Sequence, residues 1–284
     1  MRGMNETRVL GTTTLGAALV DDIVIHGPDG LDIEGYLVRP GEAPSTDPGP
    51  GLVMWHWFDS EAPDGNRTQY LAEAATLAAA GVVSLLPQGR FPWGIAPDNA
   101  GADATEIRAE VARLRIGFDL LAARPDVDAD RLGLVGHDFG GMLAVLAAAD
   151  EPRLRALVVV AATPRWGDWF LRFWQIADDR IDYLRALRPL DPIERIGDSA
   201  ARVLCQFADR DFYIAPMTGL ELHRAAPPGS ELRWYDTGHD MRLPEIEVDR
   251  RSFLGGVLGF DPKHDASDAV PSRAAADRDQ AATT

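Results

Sequence analysis

Short apolar segments typical of buried strands alternate along this chain with segments of helical periodicity. The expected strands are residues 21–26, 31–38, 51–55, 81–86, 131–135, 155–161, 201–207 and 231–235, and the expected helices are residues 68–80, 105–123, 142–149 and 248–258. Strands that are apolar on both faces need cover on both faces, which helices between parallel strands supply. The sequence therefore predicts an α/β protein with a mostly parallel central sheet and helices on both faces.

Two segments interrupt this alternation. Residues 164–198 are rich in aromatic side chains and indicate a short helical lid inserted after the strand at 155–161. Apolar pockets lie beside the carboxyl ends of strands in such sheets, so the lid aromatics are expected to line a substrate pocket. Residues 261–284 contain almost no large apolar side chain and are expected to form a disordered tail behind one α/β domain over residues 1–260. The lid candidates for substrate binding are Trp166, Trp169, Trp174 and Tyr183.

The charge balance narrows the class of partner. The chain of 284 residues has 44 acidic and 28 basic side chains, a formal net charge of −16, which disfavours nucleic acid and anionic membranes as partners. There is one cysteine, no cluster resembling a zinc site, no secretory signal pattern and no apolar run of membrane-spanning length. We expect a cytoplasmic protein, a monomer or homodimer, that acts on a small molecule without a metal or other cofactor.

The turn after the strand at 131–135 carries the most specific pattern in the chain. It reads Gly136-His137-Asp138-Phe139-Gly140 and leads directly into a helix. Glycines two residues either side of the central residue allow a very sharp strand-to-helix turn, which lifts the Asp138 side chain above the sheet. The alternative is an ordinary tight turn whose aspartate caps the helix. The Asp-Phe-Gly triplet also occurs in kinases, but the other kinase motifs are absent.

Two later turns supply an acid and a histidine, each after a strand. Asp209 and Asp211 follow the strand at 201–207, and His239 follows the strand at 231–235. Carboxyl ends of parallel strands meet at one edge of a sheet, so Asp138, an acid and His239 are expected to lie close together.

These motifs resemble the α/β-hydrolase superfamily over about residues 21–260, and the body is most similar to its dienelactone-hydrolase-like members. The superfamily order is nucleophile, acid, histidine, which the resemblance maps onto Asp138, Asp211 and His239, with Asp209 as the second candidate for the acid. It also implies an oxyanion hole made by the backbone N–H of Phe139 together with that of Trp57 or Phe58.

An aspartate at the nucleophile position changes the expected chemistry. A carboxylate is already an anion at pH 7 and suits attack on a saturated electrophilic carbon, such as an epoxide or a carbon bearing a halogen. His239 would then activate water against the resulting ester, with Asp211 orienting the imidazole. This resembles the epoxide hydrolases and haloalkane dehalogenases. The resemblance implies that Tyr183 and Tyr213 donate protons to an opened epoxide and that lid tryptophans hold a halide. His137, inside the turn, either points away from the pocket or lines it, and it is a further candidate for substrate binding.

Two other readings stay open. The first is a dienelactone-type ester or lactone hydrolase in which the carboxylate of Asp138 acts as a base toward water. The second is a non-hydrolytic protein on the same fold, either a biosynthetic enzyme or a pseudoenzyme. For the covalent route we expect activity to rise with pH through the titration of His239, because two carboxylates flank it and favour its protonated form.

Overall fold

A computed structural model of the protein describes residues 6–27, 30, 32–41, 47–62 and 64–262. The predicted tail lies outside the described residues from residue 263 onward, as do residues 1–5 of the predicted domain. The strands are β1 (Glu6–Leu15), β2 (Ala18–His26), β3 (Asp32–Pro40), β4 (Gly49–Trp55), β5 (Val83–Pro87), β6 (Val127–His137), β7 (Leu154–Val160), β8 (Arg202–Ala208) and β9 (Glu231–Tyr235).

All nine strands form a single sheet in the order β1-β2-β3-β5-β4-β6-β7-β8-β9. The first three strands are antiparallel to their neighbours, and the six strands from β5 to β9 in the sheet order are parallel to one another. The predicted mostly parallel sheet is confirmed. Its parallel part directs the carboxyl ends of β4, β6, β8 and β9 to one edge, where the motif residues follow.

Helices cover both faces of the sheet, as expected. They are α1 (Leu71–Ala79), α2 (Ala100–Ala122), α3 (Phe139–Ala149), α4 (Trp166–Phe173), α5 (Arg180–Leu187), α6 (Pro192–Arg195), α7 (Pro216–Ala225) and α8 (Pro244–Leu258).

The two helical layers lie on opposite faces of the sheet. On one face α2 packs against α3, which packs against α6, and on the other α1 and α8 are joined by a buried ion pair between Glu73 and Arg250. Neighbouring side chains of β4 point to opposite faces, so Val53 approaches α2 while Leu52 lies near α8.

Two elements were not predicted from the sequence. Strand β1 forms an antiparallel hairpin with β2 at the edge of the sheet, and most of its residues are exposed, so it lacks the apolar pattern of the other strands. Helix α7 buries only Gly219 and Leu222 and therefore shows no apolar periodicity. Helix α2 also begins at Ala100, five residues earlier than expected, where the Asn99 side chain accepts a hydrogen bond from the Ala102 N–H.

The aromatic segment after β7 forms α4, α5, α6 and two short 3₁₀ turns rather than further strands. It lies over the carboxyl edge of the sheet, with Trp166 and Phe170 of α4 packed on Phe139 at the start of α3. No helix among the described residues is long and apolar enough to span a bilayer.

Candidate active site

Asp138 stands at the sharp turn between β6 and α3. Its backbone has φ 56° and ψ −121°, a conformation that is rare and strained for a residue with a side chain. A Cβ atom on Gly136 or on Gly140 would collide with backbone carbonyl oxygens, so both glycines are sterically required. The Asp138 side chain makes no capping hydrogen bond to α3, which removes the helix-capping alternative.

His239 and Asp211 come from the loops after β9 and β8. Their side chains are joined by a hydrogen bond of 2.8 Å, which the Nδ1–H of His239 donates to Oδ2 of Asp211. The other oxygen of Asp211 accepts the backbone N–H groups of Tyr213 and Ile214, at 2.8 and 2.9 Å. Asp211 is thus fixed in place as the partner of the imidazole, whereas Asp209 is exposed and is not that partner.

Asp138 and His239 face each other across a short gap. Oδ1 of Asp138 lies 3.9 Å from Nε2 of His239, too far for a direct hydrogen bond. Neither atom has a hydrogen-bond partner in the part of the chain that the structure describes, and Asp138 and His239 are only 1% and 7% exposed. A buried acceptor and a buried imidazole nitrogen are therefore both left unpaired and directed at the same space.

The charges around His239 set its protonation state. Burial acts to lower its pKa, but the negative charges of Asp138 and Asp211, together with the hydrogen bond to Asp211, outweigh burial and raise the pKa to about 9. This shift favours the protonated ring at neutral pH. Burial raises the pKa of Asp138, while His239 and the backbone N–H groups of Phe139 and Phe58 act in the opposite direction.

Two backbone N–H groups lie close enough to the Asp138 carboxylate to act to lower its pKa. They are the N–H of Phe139, directly after Asp138, and the N–H of Phe58, in the loop after β4. Phe139 and Phe58 are two of the three residues predicted for the oxyanion hole. Trp57 as a donor was wrong, because its N–H donates instead to Oε1 of Gln69, at 2.8 Å.

The orientation of the Phe58 N–H is fixed through its own peptide group. The Trp57 carbonyl belongs to that peptide and points the opposite way, since a trans peptide is planar. This carbonyl accepts from three side chains, Nδ1 of His56 at 3.0 Å, Nε1 of Trp93 at 3.2 Å and Nδ2 of Asn66 at 3.4 Å. These three hydrogen bonds fix the plane of the peptide group between Trp57 and Phe58. They therefore also fix the direction of the Phe58 N–H.

Two of the predicted pocket aromatics contact the imidazole of His239. The ring centroid of Tyr213 lies 4.9 Å from that of His239, and the ring of Trp169 lies 5.8 Å away and edge-on. Trp169 is 7% exposed, and its indole nitrogen has no hydrogen-bond partner among the described residues. An indole N–H can donate but not accept a hydrogen bond.

The remaining lid aromatics lie further from His239. Trp174 packs against Phe58 and Phe139, and Trp166 stacks on Phe139. The indole N–H of Trp166 donates to the Leu190 carbonyl at 2.7 Å, so it is unavailable to a halide.

Tyr183 and His137 are corrections to the predicted site. Tyr183 is fully buried, and its hydroxyl donates to Oδ2 of Asp103 in α2 at 2.6 Å, so it anchors the lid and does not face substrate. His137 lies under the site, where both of its ring nitrogens are hydrogen-bonded. Sequence reasoning also missed Gln69, because a lone glutamine in a turn carries no motif.

Two cavities can be described, one beside this region and one far from it. One of about 260 Å³ adjoins Phe58 and is lined by Gln88, Gly89, Arg90 and Trp93 among others. A second, of about 690 Å³, lies at the opposite edge of the sheet, where β4 and β5 begin. Neither of these two cavities is lined by Asp138 or His239.

Comparison with solved structures identifies the fold. The structure superimposes on an acetyl xylan esterase from Paenibacillus sp. R4 with a TM-score of 0.69 and 22% identity, covering 89% of each chain. It also matches a Klebsiella pneumoniae subsp. pneumoniae MGH 78578 protein, named provisionally as a dienelactone hydrolase, with a TM-score of 0.59 and 20% identity over 90% of this chain and 99% of that one. The fold is therefore the α/β-hydrolase fold.

The sequence comparisons are more distant. No family model matches the chain. The uncharacterized peptidase YuxL of Bacillus subtilis (strain 168) is 22% identical over 219 residues, which is 68% of this chain and 31% of that protein. This chain thus spans about a third of the length of that curated relative.

Proposed function

We propose that this protein is a hydrolase in which Asp138 is a covalent nucleophile toward an epoxide or a carbon–halogen bond. One observation carries the proposal. Asp138 Oδ1 and His239 Nε2 are buried, unpaired and 3.9 Å apart, while Asp211 anchors the other nitrogen of the imidazole. An anionic nucleophile and a histidine base on either side of one small space suit a two-step displacement and hydrolysis.

In the first step, Oδ1 of Asp138 attacks the electrophilic carbon. The new C–O bond forms as the C–X bond breaks, and the electron pair leaves on the halide or on the epoxide oxygen. The indole N–H of Trp169, which has no hydrogen-bond partner among the described residues, is the candidate donor to that developing anion. Tyr213, beside His239, is the candidate proton donor for an epoxide oxygen, whereas Tyr183 is committed to Asp103.

In the second step, the alkyl ester on Asp138 is hydrolysed. Alkylation removes the negative charge of Asp138, which is one of the two charges that raise the pKa of His239. The imidazole then releases its proton to solvent more readily and can take a proton from water as the water attacks the ester carbonyl. The N–H groups of Phe139 and Phe58 stabilise the oxyanion. As the oxyanion collapses, His239 returns that proton to the leaving oxygen, which departs as an alcohol, and the second proton of the water passes to solvent as Asp138 regains its charge.

An ester or lactone hydrolase is the second candidate. It is favoured by the structural neighbours, several of which are named as esterases. In that case the carboxylate–imidazole pair activates water directly, and no ester forms on Asp138. A non-hydrolytic enzyme or pseudoenzyme is the third.

Three further expectations stay predictions. They are a cytoplasmic location, a small-molecule substrate, and a monomeric or homodimeric state.

A single turnover in H₂¹⁸O separates these routes. Enzyme in excess is mixed with styrene oxide, 1-bromohexane or p-nitrophenyl acetate, and the peptide containing Asp138 is weighed by mass spectrometry. The covalent route puts ¹⁸O into the Asp138 carboxylate when the epoxide or bromide is consumed. Turnover with an unlabelled peptide would contradict the nucleophile role and support the second candidate. No turnover of any of the three would favour the third.

A further inference from the structure

A continuous chain of hydrogen bonds runs beneath the site. It links the loop after β9, which carries His239, to the loop after β4, which carries Trp57 and Phe58. It starts at the backbone carbonyl of His239, which Nε2 of His137 contacts at 2.9 Å. Nδ1 of His137 lies 2.7 Å from Nε2 of Gln69, and Oε1 of Gln69 accepts the N–H of Trp57 at 2.8 Å. The chain therefore links two loops that are far apart in sequence through only two side chains.

The backbone groups at its ends fix the direction of every bond in the chain. The Trp57 N–H can only donate, so Gln69 must present its carbonyl oxygen there and its NH₂ group to His137. The His239 carbonyl can only accept, so His137 must carry its proton on Nε2. Its Nδ1 is then the acceptor that the Gln69 NH₂ needs. One protonation pattern satisfies all members, and it requires a neutral His137.

The surroundings of His137 favour the same state. The ring is fully buried and lies 5.5 Å, centroid to centroid, from the ring of His239. Burial and the positive charges of His239, Arg250 and Arg242 hold the pKa of His137 well below its usual range, although its hydrogen bond to the His239 carbonyl acts in the opposite direction. Because both ring nitrogens are committed to these hydrogen bonds, we assign His137 no acid–base role.

We infer that Gln69 and His137 are positioning residues that set the distance between the imidazole of His239 and the oxyanion donor of Phe58. The inference rests on the proposed function. Trp57 is held at its N–H by Gln69, and its carbonyl is held by His56, Asn66 and Trp93. Gln69 thus supplies a hydrogen bond that ties this loop to the histidine side of the site.

Kinetics of two Gln69 variants test the role. Gln69→Met keeps the length of the side chain but removes both bonds. We expect kcat to fall about 10- to 100-fold with KM changed less than about threefold, because misplacement by about 1 Å is enough for such losses. Gln69→Glu keeps an acceptor for Trp57 and should recover part of that loss. The assay uses whichever of styrene oxide, 1-bromohexane and p-nitrophenyl acetate the wild type hydrolyses.

Gln206→Met is the matched control. Gln206 is a fully buried glutamine whose hydrogen bonds run to Tyr235, Ile246 and Arg250, outside the chain of bonds described here. We expect it to lower the melting temperature with kcat unchanged. A folded Gln69→Met variant with wild-type kcat, or an equal loss of kcat in Gln206→Met, would overturn the positioning role.

A measurement that needs no substrate keeps this inference separate from the proposed function. ¹⁵N-labelled histidine in the wild-type protein should show His137 as the neutral Nε2–H tautomer from pH 5 to 9. Gln69→Met should change the ¹⁵N chemical shift of His137 Nδ1, because it removes the hydrogen bond to that nitrogen. A His137 that titrates near pH 6.5 in the wild type contradicts the inference, even if Asp138 is shown to be the nucleophile.

Discussion

Asp138 combines two features that do not stabilise a folded chain. Its φ of 56° is strained, at a typical cost of about 1–3 kcal/mol, and its carboxylate is 1% exposed. Both are sustained by the glycines at 136 and 140 and by the charge of His239. A residue kept at such cost beside a histidine and two N–H donors is a strong candidate for the reacting group.

Substitution of Asp138 tests its role directly. Asp138→Asn keeps the shape but removes the anion, and we expect kcat to fall by at least about 10³-fold, as when other nucleophiles are lost. Steady-state assays with the three probe substrates measure this. Asp138→Ser is the companion variant, since a gain of p-nitrophenyl acetate hydrolysis would support ester chemistry on this frame. Unchanged turnover in Asp138→Asn would remove both the nucleophile role and the base role.

The pH dependence of the second step follows from the two carboxylates at His239. The base is inactive while protonated, so decay of the alkyl-enzyme should speed up as the pH rises through the pKa of His239. That midpoint should lie below the value of about 9 for the free enzyme, because the alkylated Asp138 no longer contributes its charge. Rapid-quench mass spectrometry of the ester gives the decay rate. A rate that is flat from pH 5 to 9 contradicts His239 as the base.

The order of motifs along the sequence identified the residues that the structure brings together. It failed for residues whose role is determined by a hydrogen bond to a side chain far away in sequence. Asp138, Asp211 and His239 each follow a strand whose carboxyl end reaches the same edge, which the strand pattern makes visible. The predicted donor role of Trp57 fails because its N–H donates to Gln69. The predicted pocket role of Tyr183 fails because its hydroxyl donates to Asp103. No local spacing relates those partners.

At the scale of elements, the lid is attached to α2 at one side and to the Asp211 loop at the other. Asp178 accepts the Ala100 N–H at 2.8 Å, and Tyr183 bonds Asp103, both in the first turn of α2. Arg172 of α4 donates to the backbone carbonyls of Tyr213 and Phe212. The aromatic segment after β7 is therefore held at two points.

Tyr183→Phe tests the attachment to α2. It leaves the buried carboxylate of Asp103 without its hydroxyl donor, and burial already raises the pKa of that acid. We expect the free energy of unfolding to fall by about 1–3 kcal/mol, measured by urea titration. Tyr213→Phe, at an exposed ring, serves as the control and should leave stability unchanged. Equal stability of Tyr183→Phe and wild type would mean that the hydroxyl does not anchor the lid.

Elements with a buried face were predictable, and those without one were not. The parallel strands and α1, α2, α3 and α8 carry apolar residues at the period of their secondary structure. The edge strand β1 and helix α7 are mostly exposed, so tertiary pairing and chain connectivity determine them more than local pattern does.

On the scale of the whole molecule, a buried ion pair joins the first and last helices. Arg250 donates to both carboxylate oxygens of Glu73, at 2.9 and 2.6 Å, and to Oε1 of Gln206 at 2.9 Å. The two helices cover one face of the sheet, so this pair joins two parts of that layer that are 177 residues apart in sequence.

Glu73→Gln should destabilise the fold because it leaves the buried guanidinium of Arg250 uncompensated. We expect a loss of about 3–5 kcal/mol in urea denaturation, as for other broken buried pairs. Asp182→Asn, which breaks the exposed pair with Arg185, is the control and should change stability by less than about 0.5 kcal/mol. Similar small effects of both variants would show that the buried pair is not a major tie.

Residues 164–198 include none of Asp138, Asp211 and His239, and they are tied to the frame through α2 and the loop that carries Asp211. Under the proposed function, exchange of α4 and α5 for another insertion would keep the proposed nucleophile and base but remove the indole of Trp169. In such a protein the leaving groups and substrates that are accepted could change over evolutionary time while the nucleophile and the base stay the same.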